Sequence, residues 1–386
     1  MRVLLAPLLL LASAVIAAPA PPALTAALEK VETDAPANQV LNQLQAATLA
    51  LDLGRDDDAG RLFDEALTGV TAVYADSPQA AAARGLWRNE GSKDYKGEPY
   101  ERAMAFYYRG LLDMQAGDYE NARASFKSGL LQDAFAEEAQ NRADFALLLF
   151  LEAWSSQVLG ATSLAEERYA ELASLRPEIP RPGADHRLLI IAETGKAPRK
   201  LQDGVGGNLL VYRRGKRFTE QGAQIRINGQ VVRMSPAEDI FWQASTRGGR
   251  PIDGILEGKV QFKQGSERVA ANTAGAVAQI APQLSAQSGS AGSAAVGVAL
   301  VASVAALVST NMKGRADNRF WNNLPDQVHL YTLPMPTTPG ELTFEFLDAS
   351  GTVIPELTQT RRIQVDDKGR GILWVRARRA TDVDSR

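Results

Sequence analysis

Apolar positions recur at helical spacing from about residue 28 to 180, and at strand spacing from about residue 186 onward. The helical half repeats one pattern three times: a glycine, an alanine five positions on, and an aromatic four positions after that. The copies are Gly54/Ala59/Phe63, Gly117/Ala122/Phe126 and Gly160/Ala165/Tyr169, and a small residue (Ala47, Gly110 or Ala153) lies seven positions before each glycine. The pattern predicts three helix pairs: Val40 to Leu53 with Ala59 to Tyr74, Tyr100 to Ala116 with Asp118 to Asp133, and Arg142 to Leu159 with Leu164 to Leu175. Asp56, Asp57 and Asp58 open the second of these helices, where carboxylates meet the positive end of the helix dipole.

Small residues in this register, with Pro177 closing the last pair, match the tetratricopeptide (TPR) repeat, in which antiparallel helices pack closely where small side chains meet. A regular array has a period of about 34 residues. Here the glycines are spaced by 63 and 43, and most of the extra length lies between Ser77 and Glu98. The segment that follows is rich in aromatics. Tyr95, Tyr100, Glu101, Phe106, Tyr107 and Tyr119, with Tyr108, are the candidate partner-binding residues of a groove, since such side chains anchor protein interfaces. Packing between helices is the competing reading, because Phe106 and Tyr107 cannot face the same way on a helix.

After Arg181-Pro182-Gly183 the pattern changes to strands. Arg187 to Ala192 is a short apolar run followed by a basic loop, Glu193 to Lys200. Strands are expected at Leu209 to Tyr212, Gln224 to Ile227, Val231-Val232, Ile240 to Trp242 and Val328 to Leu333. Further alternation at Leu342/Phe344/Phe346, Ile363/Val365 and Leu373/Val375 completes a small antiparallel β-domain over 186–386 with one buried face. Asn228-Gly229 marks a hairpin turn. The pattern breaks between Arg268 and Lys313, where 44 consecutive residues (269–312) carry no charge and are rich in Ala, Gly and Val. Within it, 291–309 is long and apolar enough to be a candidate for membrane contact. A spanning helix, a buried, re-entrant or self-associating helical hairpin, and an apolar loop all remain open for this segment.

Composition narrows the function. Arg2, the apolar run Val3 to Leu11 and the small residues up to Ala17 form a signal peptide over 1–17, so the chain is expected to be exported and periplasmic. Ala18 to Ala27, with three prolines, reads as a flexible lead-in. Among 386 residues there is no cysteine and there are only two histidines, so disulfides, His-rich metal sites and Ser-His-Asp triads are set aside. The net charge of −3 argues against nucleic acid as a main partner. Gly204 to Gly207 precedes a strand, the wrong order for a phosphate loop, so no cofactor is expected. Lys196, Arg199, Lys200, Arg213, Arg214, Lys216 and Arg217 form a basic cluster suited either to solvent or to an anionic partner, and Arg376, Arg378 and Arg379 invite the same pair of readings.

Three stretches carry a family resemblance. They are Tyr95 to Gln132, with Pro99-Tyr100-Glu101 and Gly117 to Arg123; Glu193 to Lys200; and Ala316 to Trp321 with Leu324-Pro325. Together they resemble a family of exported, largely uncharacterised bacterial envelope proteins with TPR-like helices. Members are often lipoproteins, which this cysteine-free chain is not. The expected fold is α+β: an N-terminal TPR-like solenoid over 28–180, then the β-domain with its apolar helical segment. The expected function is a non-catalytic envelope scaffold or adaptor that binds a partner protein, with no catalytic residue and no metal. A membrane-associated pore or secretion component using 269–312, and a hydrolase acting through Glu98 and Glu101, are the alternatives.

Overall fold

Each of the three repeated glycines sits in a left-handed turn between two helices, with φ of 67° at Gly54 and 78° at both Gly117 and Gly160. A side chain with a Cβ is strained there, which is why the pattern places glycine at these positions. The turns also share their hydrogen bonds. Arg55 N donates to Ala50 O, Asp118 N to Asp113 O and Ala161 N to Ser156 O, the closing bond of a Schellman cap in all three.

A computed structural model describes residues 19–72, 94–134, 145–203, 209–227, 229–246, 317–338 and 340–377. Its α-helices are α1 (Pro22–Thr33), α2 (Gln39–Asp52), α3 (Asp56–Ala72), α4 (Pro99–Gln115), α5 (Tyr119–Ala134), α6 (Ala146–Val158), α7 (Thr162–Leu175) and the short α8 (Ile240–Thr246). The strands are β1 (His186–Thr194), β2 (Arg199–Asp203), β3 (Leu209–Arg213), β4 (Glu220–Ile227), β5 (Gln230–Arg233), β6 (Ser235–Asp239), β7 (Gln327–Pro334), β8 (Glu341–Asp348), β9 (Gln359–Arg362) and β10 (Gly371–Arg376). The chain is therefore mixed α and β, with helices first and sheets after. The expected signal peptide, most of the insertion after Ser77, Gly204 to Gly207 and all of 269–312 lie outside the described residues. Among the described residues no helix is long and apolar enough to cross a membrane.

The helices pair as α2/α3, α4/α5 and α6/α7. Close approach in the second pair depends on Gly110, where a Cβ would lie 2.5 Å from the Phe126 ring. Ala59, Ala122 and Ala165 and the aromatics that follow them, Phe63, Phe126 and Tyr169, are all buried.

The β half corrects the expectation of a single antiparallel sheet with one buried face. Among the described residues there are two four-stranded sheets, ordered β10-β1-β7-β6 and β5-β4-β8-β9, and a β2-β3 ribbon. β1 pairs parallel with β10, Leu189 opposite Ile372, and antiparallel with β7. β1 is buried on both faces, as its unbroken run Leu188 to Ala192 requires. Leu188, Ile190 and Ala192 meet the second sheet at Ile225, Phe344 and Phe346, while Leu189 and Ile191 join the core of the helical layer. The result is three layers: helices, mixed sheet, antiparallel sheet.

Other local expectations are also corrected. Ile240 to Trp242 opens helix α8 instead of forming a strand, because Asp239 Oδ1 accepts the Trp242 N–H at 2.9 Å as an N-cap. The last strand before β10 is β9 at Gln359–Arg362, ahead of Ile363/Val365, and Arg199 and Lys200 start β2. The expected flexible lead-in is helical from Pro22, whose fixed φ suits a first helical position, and Leu24 is fully buried.

Candidate functional site

Alternation along β1 turns Glu193 to the same face as Leu189 and Ile191, into the helical layer. It is buried with its carboxylate saturated. Oε1 accepts Tyr107 Oη at 3.0 Å and Trp374 Nε1 at 2.9 Å. Oε2 accepts Tyr108 Oη at 2.9 Å and pairs with Arg376 Nε at 2.8 Å. Arg376 continues to Asp52 at the end of α2 (3.3 Å) and to the Asn323 carbonyl (2.5 Å). Desolvation pushes the Glu193 carboxyl above its ordinary range, against the pull of Arg376 and the three neutral donors. The Tyr107 and Tyr108 hydroxyls are raised well above theirs, first by burial and then by Glu193, with Arg376 opposing.

A second set of contacts joins the same layers. Glu101 is the N3 residue of α4 and accepts the Glu98 N–H at 2.7 Å, a helix-capping role. Its other oxygen accepts the Trp321 N–H at 2.7 Å, tying the helix start to the approach to β7. Glu98 pairs with Lys200 of β2 at 2.6 Å, both side chains largely buried. Arg319 donates to the Ala37 carbonyl and to Asn38, each at 2.8 Å, and lies 5.6 Å from the Tyr95 ring centre. Arg370 stacks 4.1 Å over Tyr119 and donates to the Gly117 carbonyl at 3.1 Å. Phe63, Tyr108 and Trp321 form an aromatic cluster with centroids 5.7 to 6.2 Å apart, which Trp374 completes edge-on to Tyr108. Each buried ring of this kind contributes about 1.5–3 kcal/mol of apolar burial.

These contacts place the six candidate partner-binding residues. Tyr95, Tyr100, Glu101, Tyr107 and Tyr119 are buried inside the chain, and Phe106 is half-buried against the helical core. Tyr100 meets Tyr212 of β3 edge-on at 6.3 Å. Of the two readings of these residues, an open groove or packing, burial agrees with packing: Tyr107 and Tyr100 reach the β-layer at Glu193 and Tyr212, while Phe106 lies against the helical core. The first helix of each pair makes that contact, α2 through Asp52 and the Gln45 carbonyl, α4 through its tyrosines, and α6 through the Leu147 N–H to Glu238 at 3.2 Å. Glu193 and Trp374 were not among the candidates. The available signal was a lone carboxylate ending an apolar strand, which must find donors once buried.

The segments Tyr95 to Tyr107, Glu193 to Lys200 and Arg319 to Trp321 meet in space, through Glu98–Lys200, Glu101–Trp321, Tyr95–Arg319 and Tyr107–Glu193. Beside their junction opens a cleft of about 320 Å³ at the end of β1 and β10. The β1–β2 loop lines it with Lys196, the β3–β4 connection with Arg217, Phe218 and Thr219, and the approach to β7 with Asn322 to Pro325. Glu220 in its wall accepts the Gly195 N–H at 3.2 Å and the Thr219 N–H at 3.0 Å. The loops are pressed together: a Cβ on Gly215 would collide with the Lys196 carbonyl oxygen, and one on Gly195 with Asp326. The basic cluster is divided by this packing. Lys200 is buried against Glu98, and Arg214 bridges Asp239 (2.7 Å) and Asp326. Lys196, Arg213, Lys216 and Arg217 are exposed. No family model, no curated protein and no solved structure matches this chain.

Proposed function

We propose that the chain is a non-catalytic scaffold of the cell envelope, whose TPR-like helical layer grips its own β-domain and whose loop end presents a binding surface to a partner protein. One observation carries the reading: the face on which a TPR-like array would receive a ligand is filled intramolecularly, through α2, α4 and α6. Such a layer serves to hold loops in a fixed arrangement, and the loops it holds converge on the cleft. The carboxylates with the best claim to acid–base chemistry are engaged structurally, Glu98 with Lys200 and Glu101 with two backbone N–H groups. Export and the envelope setting rest on the signal-peptide pattern and the family resemblance.

Crosslinking in intact cells tests this. A photoreactive residue in place of Thr219, on the cleft wall, should capture one predominant envelope protein, identified by mass spectrometry. The same label in place of Glu29, exposed on α1, should not. Equal, non-selective capture at both positions would count against the scaffold. So would hydrolysis of glycan or peptide that disappears in a folded Glu98→Gln variant.

A further inference from the structure

The cleft has a chemistry of its own. Its lining includes three cations, Lys196, Arg217 and Arg376, against two carboxylates, Glu193 and Glu220, a formal charge of +1. Both carboxylates are already satisfied from inside the protein, Glu193 by four donors and Glu220 by two backbone N–H groups. Arg376 is likewise consumed by Glu193, Asp52 and the Asn323 carbonyl. Lys196 and Arg217 are different. They are exposed, and among the described residues neither side chain has a hydrogen bond or ion pair. Arg213 and Lys216, also exposed on the β3–β4 connection, extend the positive face beyond the cleft.

Backbone conformation adds an independent sign. Arg217 has a φ of 63° and is the only non-glycine residue with a positive φ among the described residues. A side chain with a Cβ is disfavoured in that conformation, and strain of this kind clusters at ligand-binding positions. Glycine precedes it by two residues, at Gly215, where contact with the Lys196 carbonyl holds the two cationic loops side by side. The rest of the wall is mixed, with Phe218, Leu324, Pro325 and Leu357 beside the polar Thr219, Asn322 and Asn323. Exposed cations at a cleft of about 320 Å³ whose wall offers both apolar side chains and the Asn322 and Asn323 amides suit a carboxylate carried on a peptide more than a bare inorganic anion.

We infer that this cleft is the docking site for an acidic peptide segment of the partner, with Lys196 and Arg217 engaging its carboxylates and the mixed apolar and amide wall taking the intervening side-chain and backbone atoms. The assignment rests on the scaffold reading for the existence of a partner, but its chemistry is tested without one. Fluorescence anisotropy on the full chain would use a labelled, end-blocked hexaglutamate peptide, with hexalysine as the opposite-charge control. Saturable binding of hexaglutamate alone is expected, weakening at least tenfold in Lys196→Ala/Arg217→Ala and staying within twofold in Arg361→Ala/Arg362→Ala. The latter pair is exposed on β9 and is not part of the cleft lining.

Hydrogen exchange on the unaltered chain guards against a misfolded variant. Hexaglutamate should protect amides of 195–199 and 213–219, and protection elsewhere with none at these loops would overturn the assignment. Equal loss of affinity in the β9 variant would do the same, as it would show only diffuse charge attraction. Displacement of the peptide by inorganic phosphate at matched ionic strength would identify a small-anion site and end the peptide proposal. If hexaglutamate fails to bind while in-cell crosslinking from the cleft wall still captures a protein, the scaffold stands and this chemistry falls. If it binds and no protein is captured, the scaffold falls instead.

Discussion

A single carboxylate shows how much one residue can hold in this chain. Glu193 receives donors from α4 and β10 and, through Arg376, reaches α2, so its replacement disturbs two layers together. Glu193→Gln removes one of the two carboxylates that offset buried Arg376 and turns an amide donor toward groups that are themselves donors. The expected loss is about 3–5 kcal/mol, against about 0–1 kcal/mol for Arg61→Ala, which breaks an exposed pair. Urea denaturation of the two variants measures both.

Two buried groups set opposing pH dependences. His329 is buried, its Nδ1 has no partner among the described residues, and desolvation lowers its pKa from 6.5 to about 4. The unfolded chain then binds the proton more tightly, so stability present above pH 6.5 is lost as pH falls through about 4. Desolvation raises Asp326 from 3.8 to about 6, with Arg214 opposing, so the folded chain holds that proton more tightly and stability is lost as pH rises through the same interval. Each effect is on the order of 3 kcal/mol and they nearly cancel. Stability of Asp326→Asn should therefore fall as pH drops from 6.5 to 4, and that of His329→Gln should rise; urea midpoints across that interval report the slopes, and identical slopes would refute the assignment.

At the scale of elements, the repeated glycines and alanines were legible because their roles are local. A left-handed turn needs glycine whatever packs around it, and the three caps use the same backbone bonds. α8 was not legible, because Ile240 to Trp242 reads equally as a buried strand until Asp239 is seen to cap it. The same reasoning separates glycines that fill a need from one that does not. Gly110→Ala drives a methyl to 2.5 Å from Phe126 and should cost about 1–3 kcal/mol. Gly60, inside α3, has its nearest contact at 4.0 Å, so Gly60→Ala should stabilise by about 0.5–1 kcal/mol. Thermal melts of the two variants should move in opposite directions.

At the scale of the molecule, sequence periodicity marked where helices end and strands begin but hid how the halves join. The aromatic-rich stretch Tyr95 to Tyr119 looked like a surface waiting for a partner, and periodicity alone cannot distinguish a face covered by another protein from one covered by residues two hundred positions away. The structure covers it from within. One core runs from Leu44, Phe63 and Tyr108 in the helices to Leu189, Ile191, Trp321 and Val328 in and beside the mixed sheet. A boundary near residue 183 therefore divides types of secondary structure without dividing the core. A fragment ending there would expose Tyr107 and Tyr108 with no Glu193 to accept their hydroxyls, and would strip the aromatic cluster of Trp321 and Trp374. Two independent domains would unfold in two steps. A shared core instead requires helical circular dichroism and tryptophan fluorescence to report one coincident transition in urea. Fragment 19–183 should bind a hydrophobic dye and lack a cooperative melt. Separate transitions for the two probes, or a cooperative melt of that fragment, would show that the buried junction is an interface between two domains instead of a single core.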